Sequence, residues 1–209
     1  HISTKEEVDL FEKIPLKDKR ITAEACVHHL WFKDSDYELY GNQIVCNPAI
    51  KTKEDNEAIW RGIIEGNIDV IATDHAPHTW DEKLQTYPAC PSGVPLIQHS
   101  LLMMLEKVNE GKISLEMMVD KMCHKPAELF EIQDRGYIRE GYFADITIVN
   151  PEKSYRVSKE NIAYKSAWSP FEGQSFSHSI EYTFVNGILM QKMGKILTDP
   201  CGSRLEFNR

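Results

Sequence analysis

The sequence predicts an α/β fold that passes into a small antiparallel β unit over its last third. Three observations carry this. Helical and strand signals alternate through the first 135 or so residues. The run at 68–73 (IDVIAT) is short, mostly apolar and rich in β-branched residues, as a parallel strand covered on both faces should be. After about Gly136 the helical signal gives way to period-two alternation and a hairpin signature. Strands separated by helices imply a parallel sheet with helices outside it. A complete (β/α)8 barrel needs about 250 residues, so this chain has room for less than half of one beside the β unit.

The elements follow in order. Ser3 and Glu6 have the S-x-x-E spacing of a capping box ahead of Val8 and Phe11 and predict a short helix. Residues 21–27 (ITAEACV) read as a strand. Thr52 and Asp55 open a second helix, with Ile59 and Ile63 on one face and Gly66 past its end. The 68–73 strand comes next. Residues 94–109 predict a strongly apolar helix closed by Gly111, Ser114 caps another, and Pro126 starts one more. In the last third, residues 143–149 alternate. Asn186-Gly187, between two apolar runs, marks a type I′ hairpin because both positions favour φ > 0.

Composition narrows the function. Hydrophobic residues make up 42% and charged residues 27%, ordinary for a globular domain and unlike a disordered or fibrous chain. A net charge of −8 disfavours binding nucleic acid through phosphate neutralisation. No apolar run reaches the roughly 18 residues of a membrane span. The cysteines, Cys26, Cys46, Cys90, Cys123 and Cys201, are odd in number and form no C-x-x-C pair, which disfavours a disulfide framework or zinc ribbon and fits a reducing cytoplasm. Position 1 is His rather than Met, so we expect a piece of a longer chain.

The chemistry concentrates in Asp74-His75-Ala76-Pro77-His78, directly after the apolar strand. Carboxyl ends of parallel strands are where such sheets place their sites. A carboxylate there can both bind a metal and move a proton. The bland alternative makes Asp74 a turn cap and the histidines loop residues; the apolar strand before them favours function. His1 precedes a capped helix and would also lie at a strand end, although a frayed terminus is the simpler reading of its position. Asn47-Pro48 is either a turn or a substrate-facing amide. Ser92-Gly93 is either a plain cap or a backbone anion site in a Pro-rich loop. His28 and His29, at the end of a strand, should point to opposite sides and not chelate one ion. His99 should be packed in a helix, and Cys90 should lie in an exposed loop. The Met103/Met104 and Met117/Met118 pairs read as helix core.

The run at 68–83 (IDVIATDHAPHTWDEK) resembles the signature near the last barrel strand of dihydroorotases, in the metal-dependent amidohydrolase superfamily. HIST, EACVHHL, CNPAIK, GYFADITIVN, SPFEGQ, FVNGILM and GSRLEFN resemble further family segments, so the resemblance covers essentially the whole chain. It implies the C-terminal part of a TIM-type barrel over residues 1–135 and a β-sandwich over 136–209. By the resemblance His1 and Asp74 are metal ligands, Asp74 is also the general base and acid, and Asn47, His78, Ser92 and Gly93 meet the substrate. Two segments depart from the family: NPAIK where it often has N-P-P-L-R, and VPLIQ where it often has G-L-E. Both bear on substrate contacts rather than on metal chemistry.

The implied reaction interconverts dihydroorotate and N-carbamoyl-L-aspartate in pyrimidine synthesis. One or two zinc ions would supply the Lewis acidity that water and an unactivated amide lack. The family's H-x-H pair and its middle-strand ligands are not in this chain, and zinc wants about four ligands. The remaining ligands should therefore come from an N-terminal half of the same enzyme, and the 209 residues alone should be inactive. The expected partners are that half, a small-molecule substrate and a second copy in a homodimer, with no nucleic acid and no membrane. Two alternatives stand beside this: another cyclic amidase of the hydantoinase or allantoinase type, and a non-catalytic dihydroorotase-like partner protein. Retention of His1, Asp74 and His78 together argues against the latter.

Overall fold

The computed structural model describes residues 1–208. Its first part runs α1 (Lys5–Val8), β1 (Glu24–Cys26), α2 (Val27–Trp31), α3 (Tyr37–Tyr40), α4 (Lys53–Glu65), β2 (Val70–Ala72), α5 (Trp80–Lys83), α6 (Ser100–Asn109), α7 (Leu115–Val119) and α8 (Lys125–Leu129). β1 and β2 pair in parallel with Ala25 opposite Ile71. The chain at Ile2 donates its N–H to Glu24 O (2.9 Å), and a parallel bridge joins His75 to Val94. β1, β2 and the segment at Val94 thus run in parallel, the chain at Ile2 lies beside β1, and the carboxyl ends of β1 and β2 form one mouth. Ala25, Cys26, Val70 and Ile71 are buried, as strands covered on both faces require.

α4 forms where the sequence places it. Thr52 Oγ1 accepts from Asp55 N (3.2 Å) and donates to Asp55 Oδ2 (2.7 Å), and Gly66 ends the helix at φ 90°. Asp55 Oδ1 also accepts from Lys5 N (3.0 Å), so this cap ties α1 to α4. Thr52→Ala should cost about 1 kcal/mol, read as a lower denaturant midpoint with an unchanged slope. Ala58, Ile59, Trp60 and Ile63 bury the inner face. At the end of the sheet opposite the mouth, Lys19 and Asp69 form a buried ion pair (2.7 Å). Lys19 also donates to Gly66 O and Asn67 O, and Asp69 Oδ2 accepts from Ala23 N. The paired charges are hydrogen-bonded all round, the condition under which burial is tolerated.

The last third holds β3 (Ile146–Asn150), β4 (Tyr155–Arg156), β5 (Ser175–Phe176), β6 (Ser179–Val185), β7 (Ile188–Lys192) and β8 (Lys195–Ile196). β3-β6-β7-β8 form an antiparallel sheet, and β4 pairs with β5. Asn186 and Gly187 have φ of 52° and 78°, the type I′ pattern, and Val185 lies opposite Ile188.

Several boundaries differ from the sequence expectation. Thr4, not Ser3, caps α1, and its box partner is Glu7. The strand expected at 21–27 is three residues long, because Val27 already starts a helix. The helix expected from residue 94 begins at Ser100; Val94 is instead drawn beside His75 as a strand-like segment. α7 and α8 run on through a widened turn at Asp120–His124, so Pro126 lies inside a continuous helix. That turn accommodates a residue with no N–H to donate. Cys90 is not exposed but 4% accessible, because its loop folds back over α5.

Candidate metal-binding and catalytic site

The mouth of the parallel segments gathers the polar side chains that the sequence singles out. Asp74 follows β2 with φ 44°, a left-handed conformation that an Asp tolerates better than a branched residue. This strain sits where the strand must turn its carboxylate into the mouth. His1 Nε2 lies 3.3 Å from Asp74 Oδ1. The other ring nitrogen, Nδ1, is 2.5 Å from Glu24 Oε1 and 3.1 Å from Cys26 Sγ. Glu24 and Cys26 were not among the expected site residues. Their i, i+2 spacing in β1 puts both on one face, a signal legible in the sequence.

This arrangement tests whether a cation fits. Beside the Glu24 carboxylate, Nδ1 must carry the proton, which fixes the tautomer and leaves the Nε2 lone pair directed at Asp74. Two electron-rich atoms then face each other, and only a second proton or a cation makes that favourable. Two ligands held about 2.05 Å from a tetrahedral zinc ion stand about 3.3 Å apart, the separation found. Burial raises the Asp74 carboxyl above the usual carboxylate range, and the nearby Glu24 charge adds to the rise. A positive ion between the two side chains would relieve both. His1 and Asp74 therefore fit as two ligands of a metal centre, short of a full set.

His28 and His29 correct the sequence expectation. They lie on α2 rather than a strand, so their rings converge, with centroids 4.2 Å apart, and with Cys26 their ligand atoms fall within 4.8 Å of one another. Both are buried. Burial and the neighbouring His29 push His28 down to about 3, so it is neutral at physiological pH. His29 Nε2 lies 2.9 Å from Pro48 O, as a hydrogen-bonded core histidine would, and it braces the Asn47-Pro48 segment. His99 is packed as expected, fully buried between Tyr164 and Ser169, although it precedes α6 rather than lying inside a helix.

The four candidate substrate residues share the same mouth region. His78 Nε2 is 3.0 Å from Ser92 O. Gly93 N donates to Val45 O (2.9 Å), two residues before the exposed Asn47. Gly93 has φ 147°, and a Cβ there would come within 2.5 Å of Ala76 O. Only glycine allows the two loops this approach. Trp168 Nε1, from the β unit, donates to His78 O (2.7 Å) and so holds the His78 loop from outside.

Known proteins similar to this chain place it in a family. The chain is 38% identical over 188 residues to a dihydroorotase of Endomicrobium trichonymphae, covering 90% of this chain and 44% of that protein. A dihydroorotase of Clostridioides difficile is 35% identical over 188 residues, again covering 90% and 44%. The chain thus spans less than half the length of these curated relatives. In structure it is similar to the L-hydantoinase (dihydropyrimidinase) of Arthrobacter aurescens, with a TM-score of 0.86 at 26% identity over 95% of this chain and 45% of that one. The sequence matches the Amidohydrolase family over residues 1–190. With nine-tenths of its length inside that match, the chain belongs to the amidohydrolase family.

Proposed function

We propose that the chain is the C-terminal part of a zinc-dependent dihydroorotase, which interconverts dihydroorotate and N-carbamoyl-L-aspartate. In this reading residues 1–135 complete a (β/α)8 barrel and residues 136–208 form a β-sandwich unit beside it, Arg209 lying outside the described residues. The single observation that carries it is the 3.3 Å approach of His1 Nε2 and Asp74 Oδ1 at the carboxyl ends of parallel segments. That relatives 35–38% identical are named dihydroorotases supports this substrate over hydantoin for the chain.

A metal ion held by His1, Asp74 and ligands from the rest of the enzyme supplies Lewis acidity toward water and the amide carbonyl. The chain's own residues do the remainder. Asp74 takes the proton of the attacking water and passes it to the ring nitrogen as the C–N bond breaks. Glu24 holds the His1 tautomer. Asn47, His78 and the Ser92-Gly93 backbone supply donors for the substrate carboxylate and ring amide. The partner required is the remaining half of the enzyme, because two ligands fall short of the roughly four that zinc takes. All five cysteines are free, which suits a reducing compartment such as the cytoplasm. No helix among the described residues is long and apolar enough to cross a membrane.

The test is a substrate panel on the whole enzyme loaded with zinc. Dihydroorotate should exceed hydantoin, allantoin and dihydrouracil in kcat/KM by about 100-fold or more, because donors arranged for a carboxylate are left unpaired by an uncharged ring. A preference for an uncharged ring, or no turnover of any of the four, would overturn the assignment.

A further inference from the structure

We infer that Lys83 is a positioning residue whose buried ammonium locks the three loops carrying Asn47, His78 and Ser92-Gly93 into one anion-binding cradle. The inference rests on the dihydroorotase reading above and adds a residue outside the metal centre.

Lys83 ends α5 and is 1% exposed. Its Nζ donates to Val45 O (3.0 Å), Pro91 O (2.9 Å) and Gly93 O (3.0 Å). Each acceptor lies within two residues of a candidate substrate contact, or belongs to one. Val45 O accepts from Gly93 N as well, so one carbonyl joins the Asn47 and Ser92-Gly93 loops to Lys83, which ends the short helix after His78. Outside, Asn42 Nδ2 donates to Lys83 O (2.9 Å) and Gln85 O (2.8 Å), closing the same ring of segments.

A purely structural lysine explains this poorly. Helix α5 already has its own capping box between Thr79 and Glu82 and needs no further support. A buried ammonium costs several kcal/mol unless compensated, and among the described residues no carboxylate pairs with Lys83; its ionisable neighbours are the thiols of Cys90 and Cys46. Both of these are buried. The positive charge is therefore offset by the carbonyl dipoles of the loops that carry the candidate substrate contacts. That suits a ring bearing a carboxylate, in a chain whose net charge is −8.

The experiment uses the whole zinc-loaded enzyme. Lys83→Met should raise KM for dihydroorotate about tenfold, weaken binding of the unreactive anion orotate by a similar factor, and change kcat by less than about threefold. Zinc content should be unchanged. Lys83→Arg keeps the charge but not the fit to three carbonyls, and should recover part of the lost orotate affinity. A lower melting temperature with KM and orotate affinity unchanged would overturn the inference. If Lys83→Met does not fold, Asn42→Ala loosens the same anchor from the surface; a smaller rise in KM supports the inference and an unchanged KM overturns it. Wild-type enzyme that ignores dihydroorotate refutes the function reading, not this one. The same variants are then scored on whichever cyclic amide it does turn over, where raised KM at steady kcat again decides.

Discussion

Asp74→Asn lowers turnover of the whole enzyme by about 10³-fold or more and leaves the fold intact. The argument separates chemistry from structure. Asn has the same shape as Asp and also tolerates φ near 44°, so the turn out of β2 survives. The carboxamide cannot take up a proton at neutral pH, and its oxygen is a weaker metal ligand than a carboxylate. The substitution therefore removes the proton shuttle while weakening the cation site. Initial rates should collapse at every substrate concentration, because the lost interaction belongs to the transition state and not to substrate binding. The melting temperature should move by a few degrees at most. Zinc content, measured alongside, distinguishes a lost base from a lost ligand. Activity within about tenfold of wild type would sink the role given to Asp74.

How much of this was legible in the sequence depends on how far apart the interacting residues lie. The cap at Thr52/Asp55 and the Asn186-Gly187 turn are local and appear where the sequence places them. So does the Asp74 motif after its apolar run. The end of β1 was not legible: residues 21–27 have strand composition throughout, yet the chain coils at Val27 to bring His28 and His29 under the mouth. No local propensity marks that switch; packing against α4 and α6 imposes it. Lys83 carries no local signal of its role, because a Lys beside Asp81 and Glu82 has the composition of a solvated helix end. Its three acceptors lie on loops up to 38 residues away. The bond from Trp168 to His78 spans 90 residues. What holds the cradle is thus mostly long-range, while the groups that would do the chemistry sit in short recognisable runs.

The same distance argument predicts the largest stability loss. The divide near residue 135 separates two styles of secondary structure, but the side chains do not respect it. Phe171, from the β-rich part, is fully buried and stacks on Phe32 (5.7 Å between centroids, planes 14° apart). It also meets Trp31, Phe176 and His99 edge-on. Phe171→Ala should cost about 3–5 kcal/mol, toward the upper end because each aromatic pair adds about 0.5–1.5 kcal/mol beyond its buried area. Phe171→Leu, which keeps most of the volume, should cost less. If the two parts were independent domains, only one of two denaturation transitions would shift. We expect a single transition that moves as a whole, because Trp31 and Phe32 flank the end of α2, whose His29 braces Pro48. Loosening Phe171 should therefore also raise KM in the surviving folded enzyme, linking the β unit to the cradle through α2 as well as through Trp168. Two separate transitions, or a loss below about 1 kcal/mol, would show that the β unit folds alone and leaves the site unaffected.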